Sequence, residues 1–154
     1  MRPTALKPKL ETLPKELLEK EQWVIWQFDW HEKSERYAKV PHTPLTDYPA
    51  RSTDPTTWRD FSSAKIHYEI HSTHSQKGDC AGLGFVLVDP YAGMDLDKCR
   101  NPETGVIAYW AQSYISRLAT YTEVSPCGTG LKLFFKARLP HPLPRQPEKQ
   151  KTGR

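Results

Sequence analysis

The sequence predicts an α+β fold with a largely antiparallel sheet, and three observations carry that reading. Runs of β-branched and aromatic residues, such as Trp23-Val24-Ile25-Trp26-Gln27-Phe28, recur along the chain and suit buried strands. Turn-forming residues join several of them over short distances, as hairpins require. Strands and helices alternate along the chain but with hairpins mixed in, which suits a largely antiparallel sheet better than a doubly wound parallel one.

Taken in order, residues 1–12 are rich in Pro and Lys and read as a loose leader. Leu13-Pro14-Lys15-Glu16-Leu17-Leu18-Glu19-Lys20 gives a short helix with Pro14 near its first turn. The strand over 23–28 leads through a polar hairpin, Trp30 to Arg36, to a return strand at 37–40. After a Pro- and Thr-bearing loop over 41–51, Ser52-Thr53-Asp54-Pro55 offers an N-cap and a first-turn proline. Trp58, Phe61, Ala64, Ile66 and Tyr68 then supply the buried stripe of a helix running to about Ile70. Gly82 to Val88 reads as a strand turned by Asp89-Pro90, with Tyr91 to Asp97 returning beside it. Asn101-Pro102-Glu103 opens a second helix whose apolar positions extend from Ile107 to Leu118. Strands at 120–124 and 131–137 flank a turn at 125–130, and a Pro-rich tail follows.

Composition narrows the function classes. The chain has 154 residues, enough for one ordinary domain, and no internal repeat. A net charge of +4 permits a polyanionic partner without demanding one. The charge is concentrated at the end, where Lys136, Arg138, Arg145, Lys149, Lys151 and Arg154 face a single Glu148. Cys80, Cys99 and Cys127 are an odd set without Cys-x-x-Cys spacing, which argues against a disulfide framework or a zinc knuckle and fits a reducing compartment. No apolar run has signal-peptide or membrane-span length, so a soluble, cytoplasmic protein with no membrane contact is expected.

Two stretches can carry chemistry. In Gly93-Met94-Asp95-Leu96-Asp97 the two-residue period of a strand puts Asp95 and Asp97 on one face, their Cα atoms roughly 6 to 7 Å apart. Two like charges so placed either face water or hold a divalent cation. A solvated strand face is the plainer explanation of the Asp-x-Asp alone. In Ser125-Pro126-Cys127-Gly128-Thr129-Gly130-Leu131-Lys132, glycines let backbone N–H groups approach an anion while hydroxyls and a lysine complete a phosphate cradle. The spacing is not that of a P-loop, and an ordinary glycine turn explains it as well. His67, His71 and His74 with Cys80 can be drawn as a zinc site, but a solvated helix face accounts for their spacing. Trp23, Trp26, Trp58 and Trp110 each sit in an apolar pattern and are assigned to the core. No Gly-x-Ser-x-Gly elbow supports a hydrolase.

In order and spacing, these segments resemble one family. They are Trp23-Val24-Ile25-Trp26, Lys39-Val40-Pro41, Ser52-Thr53-Asp54-Pro55 with Trp58, Gly82-Leu83-Gly84-Phe85-Val86, the Asp-x-Asp stretch, and Thr122-Glu123-Val124-Ser125-Pro126 with Gly128-Thr129-Gly130-Leu131. The family is the primase–polymerase (prim-pol) domain of phage and plasmid replication proteins, within the archaeo-eukaryotic primase superfamily. The likeness runs from about Gln22 to Pro140 and implies a prim-pol domain over 13–140, followed by a basic tail at 141–154. It further implies a catalytic core related to the RNA-recognition (RRM) fold, beside an N-terminal α/β subdomain. By resemblance, Asp95 and Asp97 bind two Mg²⁺ or Mn²⁺ ions and carry catalysis, and Ser125, Gly128, Thr129, Gly130 and Lys132 hold a nucleotide's triphosphate. Lys39 and Arg51 are assigned to the nucleic-acid backbone.

The chain departs from the family twice. Lys132 stands where the family has a histidine, giving a point charge in place of a directed imidazole hydrogen bond. The family's third metal-binding carboxylate lies on a strand beyond the glycine turn, and no such run occurs before Arg154, so the domain is expected to lack its last strand or strands. The resemblance thus implies template-directed nucleotidyl transfer on single-stranded DNA with dNTP or NTP substrates, alone or beside a helicase. The rivals are a non-catalytic single-strand-binding or replisome-interaction module with the same fold, and a nucleotide-sensing domain.

Overall fold

A computed structural model describes residues 1–46, 48–72 and 79–138. It is α+β, as expected, but its strands form two separate antiparallel sheets of three strands each. The first takes β1 (Trp23–His31), β2 (Arg36–His42) and β3 (Cys80–Phe85) in the order β2-β1-β3. The β1–β2 hairpin closes through a single 3-10 turn at Glu32–Ser34, with Glu35 left-handed at φ 47°. Helix α1 (Lys15–Leu18) and helix α2 (Phe61–His71) cover one face of this sheet. Leu17, Trp23, Ile25, Ala64, Tyr68 and Cys80 form the core there, and the Trp23 indole N–H is satisfied by the Leu17 carbonyl at 2.9 Å.

The second sheet takes β4 (Tyr91–Leu96), β5 (Tyr121–Val124) and β6 (Leu131–Lys136) in the order β4-β6-β5. Helix α3 (Tyr109–Leu118) packs on the face that presents Leu96, Leu131 and Leu133, with Ala111 and Cys99 between them. Alternation then sends Asp95, Lys132 and Glu123 to the other face, toward the first sheet. The sheets are tied at one end by Glu16 of α1, whose carboxylate accepts the Tyr91 hydroxyl and pairs with Lys136, both at 2.6 Å.

Several boundaries differ from expectation for identifiable reasons. Asp54 does cap a turn, accepting the Thr56 N–H at 3.1 Å, but only one 3-10 turn follows, at Pro55–Thr57. Arg59 then pairs with Trp23 as an isolated bridge, holding the chain extended, and α2 starts only at Phe61, capped by Asp60. Asn101 accepts the N–H groups of Glu103 and Thr104 and closes a turn rather than opening a helix. The Arg100–Ile107 bridge keeps this stretch extended, so α3 begins at Tyr109.

β3 and β4 were expected to lie side by side. Instead Val86 remains bonded to Gln22 beyond the end of β3, and the chain passes through 86–90 to pair β4 with β6 in the other sheet. In the segment 1–12, Ala5 is buried, the Leu6 N–H donates to the Pro126 carbonyl at 2.9 Å, and Arg2 pairs with Asp79. The tail over 141–154, including Arg145, Lys149, Lys151 and Arg154, lies outside the described residues, as does His74. Among the described residues no helix is long and apolar enough to cross a membrane.

Candidate functional site: a cleft between the two sheets

The facing surfaces of the two sheets enclose a cleft of about 1030 Å³. Trp26, Lys39, Gly82 and Gly84 line one wall, and Gly93, Asp95, Lys132, Phe134, Tyr121 and Glu123 line the other. Residues 6–10 close one flank. On the first wall the Trp26 ring lies against Gly82, where an added Cβ would come within 2.7 Å of the indole nitrogen. Gly82 is therefore a spacing requirement, since any side chain would push the ring off the wall.

Asp95, Lys132 and Glu123 form one row across the second sheet, because β6 sits between β4 and β5 and Lys132 is the register partner of both acids. The Lys132 ammonium donates to Asp95 Oδ1 at 2.6 Å, with both side chains partly open to solvent. Burial raises the Glu123 carboxyl above its ordinary value; the Tyr121 hydroxyl, at 3.3 Å, and Lys132 act the other way, while Asp95 adds to the rise. Tyr121 is itself pushed up to about 12 by burial and by Glu123.

Asp97 departs from the expected alternating pair. β4 ends at Leu96, so Asp97 is exposed in the turn that follows rather than on the strand. That turn lies against the glycine turn: an added Cβ on Gly130 would meet the Leu96 carbonyl oxygen at 2.8 Å and the Asp97 Cα at 3.6 Å. The end of the acidic strand and the Ser125–Gly130 turn are thus adjacent. Within the latter, the Gly130 N–H donates to Ser125 Oγ at 3.0 Å, Gly128 adopts φ +80°, and Arg100 grips the Gly128 carbonyl at 2.8 Å. The Thr129 hydroxyl lies 3.2 Å from the Cys127 sulfur, which Ser125 approaches from the other side at 3.1 Å. Those two hydroxyls hold the exposed Cys127 thiol down to about 7.

Among the expected site residues, Asp95, Lys132 and Lys39 line one cleft, with Asp97 and the 125–130 turn at the end of β4. Arg51 does not join them. It does not line the cleft, and its backbone is engaged by Thr57 and the Trp58 indole, beside the Val24, Ala50 and Trp58 cluster. Trp23 and Trp58 are buried as expected, but Trp110 is 48% exposed and Trp26 opens on the cleft. Sequence reasoning missed Glu123 as a neighbour of Asp95. The available signal was register: the 125–130 turn folds β5 back on β6, setting Glu123 opposite Lys132. Arg100 was missed as well, since a lone arginine after a strand carries no pattern.

Asp95 and Asp97 are hard oxygen donors of the kind Mg²⁺ and Mn²⁺ prefer, and in that respect the residues fit those ions. Among the described residues no set of three or more His, Cys, Asp or Glu side chains is grouped to hold a metal. In this structure Lys132 occupies Asp95 Oδ1. His67 and His71 stack at 4.8 Å, and His67 Nδ1 accepts the Leu45 N–H.

Over 121 residues the chain is 36% identical to the DNA primase-polymerase of Nitratiruptor phage NrS-1, a match that takes in 77% of this chain. The chain belongs to the primase–polymerase family. No family model matches it. This prim-pol chain spans about 15% of the phage protein's length.

Proposed function

We propose that this prim-pol chain forms the nucleotidyl-transfer site of a DNA primase–polymerase of phage or plasmid type, acting on a single-stranded DNA template with dNTP or NTP substrates. The second sheet with α3 serves as the RRM-like catalytic core, and the first sheet with α2 as the subdomain beside it. The observation that supports this reading is the close approach of the Gly130 backbone to Leu96 and Asp97 at the end of the acidic strand, because a glycine turn so placed suits an anion. Asp95 and Asp97 hold two Mg²⁺ or Mn²⁺ ions. When bound, these ions supply a lowered pKa at the attacking 3′-hydroxyl and neutralise charge on the departing pyrophosphate.

The protein's own groups do the positioning. The backbone at Gly128, Thr129 and Gly130, with Ser125 holding the turn closed, cradles the triphosphate. Lys132 exchanges its pairing with Asp95 for a phosphate oxygen, so substrate binding itself uncovers the carboxylate. Lys39, on the opposite wall, contacts the nucleic-acid backbone. Replacing Asp95 and Asp97 together with Ala is expected to abolish Mn²⁺-dependent dNTP incorporation by the complete protein. Unchanged incorporation removes both from the mechanism.

A further inference from the structure

We propose that the open face of the β1–β2 hairpin is a stacking track for single-stranded DNA, leading into the cleft. Trp26, Phe28 and Trp30 occupy alternate positions on β1 and so share one face, opposite the one that Trp23 and Ile25 bury under α2. Their cross-strand partners on β2 are Pro41, Lys39 and Tyr37. Trp26 and Phe28 meet edge to face at 5.2 Å, as do Trp30 and Tyr37, and the Lys39 ammonium sits 5.4 Å from the Trp26 ring centroid. Trp30 is 53% exposed, and Trp26 and Phe28 are each part-open.

Aromatic rings held in a row on a strand at about 7 Å intervals, with a cation beside them, suit successive bases of an extended single strand. Continuity with the cleft selects the occupant. Trp26 and Lys39 at the inner end belong to the same cavity as Asp95 and Lys132, so a strand stacked on Trp30 and Phe28 runs toward the acidic row. The hairpin tip carries Glu32, Lys33, Glu35 and Arg36, charges of both signs, which places the attraction on the rings rather than on a basic patch.

The track rests on the polymerase reading, and its test separates the two. Binding of a short fluorescein-labelled oligo(dT) is measured by anisotropy for the full chain, for Trp30→Leu with Tyr37→Leu, and for Trp30→Phe. The double leucine variant keeps apolar bulk and is expected to bind about tenfold more weakly. Trp30→Phe retains a π-face and is expected to bind within about twofold of the parent. Dissociation constants equal to the parent's for the leucine variant overturn the track, while loss of incorporation in the Asp95/Asp97 variant still upholds the polymerase reading. Failure of the parent chain to bind oligo(dT) overturns the track outright. Equal weakening in the leucine and Trp30→Phe variants also overturns it, because stacking then does not explain the loss.

Discussion

Lys132 and Asp95 face each other across the β4–β6 ladder, ammonium to carboxylate at 2.6 Å, in the position where the prim-pol reading needs a cation on that carboxylate. An ion pair this open to solvent is worth about 1 kcal/mol or less. Displacing it by a divalent cation or a triphosphate would therefore cost little.

Replacing Lys132 with Met removes the internal competitor. Mn²⁺ is expected to bind the variant more tightly, by no more than about fivefold given the weakness of exposed pairs, while triphosphate affinity falls. Titration followed by the electron paramagnetic resonance of free Mn²⁺, alongside nucleotide binding, reads both. Weaker Mn²⁺ binding in Lys132→Met contradicts the competition.

Glu123 makes stability depend on pH in a defined direction. Burial raises its carboxyl, so the folded chain holds that proton more tightly than the unfolded chain does. Its contribution favours folding below the ordinary carboxyl value and is lost as pH rises through the raised value. Glu123→Gln removes that loss. The Tm of the variant minus that of the parent is expected to be larger at neutral pH than in mild acid, as thermal melts at matched ionic strength will show.

Gly130→Ala places a methyl group 2.8 Å from the Leu96 carbonyl oxygen, a backbone atom with little freedom to yield. Overpacking of this kind costs about 1–3 kcal/mol. Urea unfolding is expected to show that loss together with reduced triphosphate affinity. An Ala variant as stable as the parent denies the close approach of the two turns.

Cys127 is expected to be the fast-reacting thiol of the three. It is exposed and held down to about 7, whereas Cys80 is buried and pushed up to about 11 and Cys99 is buried. With a chromogenic disulfide near neutral pH, one rapid equivalent should appear and vanish in Cys127→Ser. Rapid reaction persisting in that variant contradicts the assignment.

The strands were legible because their residues declare themselves. Trp23 to Phe28 is apolar or aromatic at every position but Gln27, and Leu131 to Phe135 alternates inward leucines with residues of the cleft wall. Helix starts were misplaced because capping residues serve turns equally well. Asp54 and Asn101 both cap something, but the Trp23–Arg59 and Arg100–Ile107 bridges keep the following backbone extended, and those bridges join segments far apart or across a tight turn. The pairing of β3 with β1 rather than β4 is long-range and leaves no local mark. Asp95 and Lys132 were each named from motif, whereas their direct contact, and the presence of Glu123 in the same row, follow from register alone.

Among the described residues no backbone ladder crosses from one sheet to the other, and the chain passes between them through 86–90. The gap separating the walls is consequently set by side chains and by clasps such as Glu16 with Tyr91 and Lys136. A change in the width of the cleft would therefore tilt two intact halves without unzipping any strand.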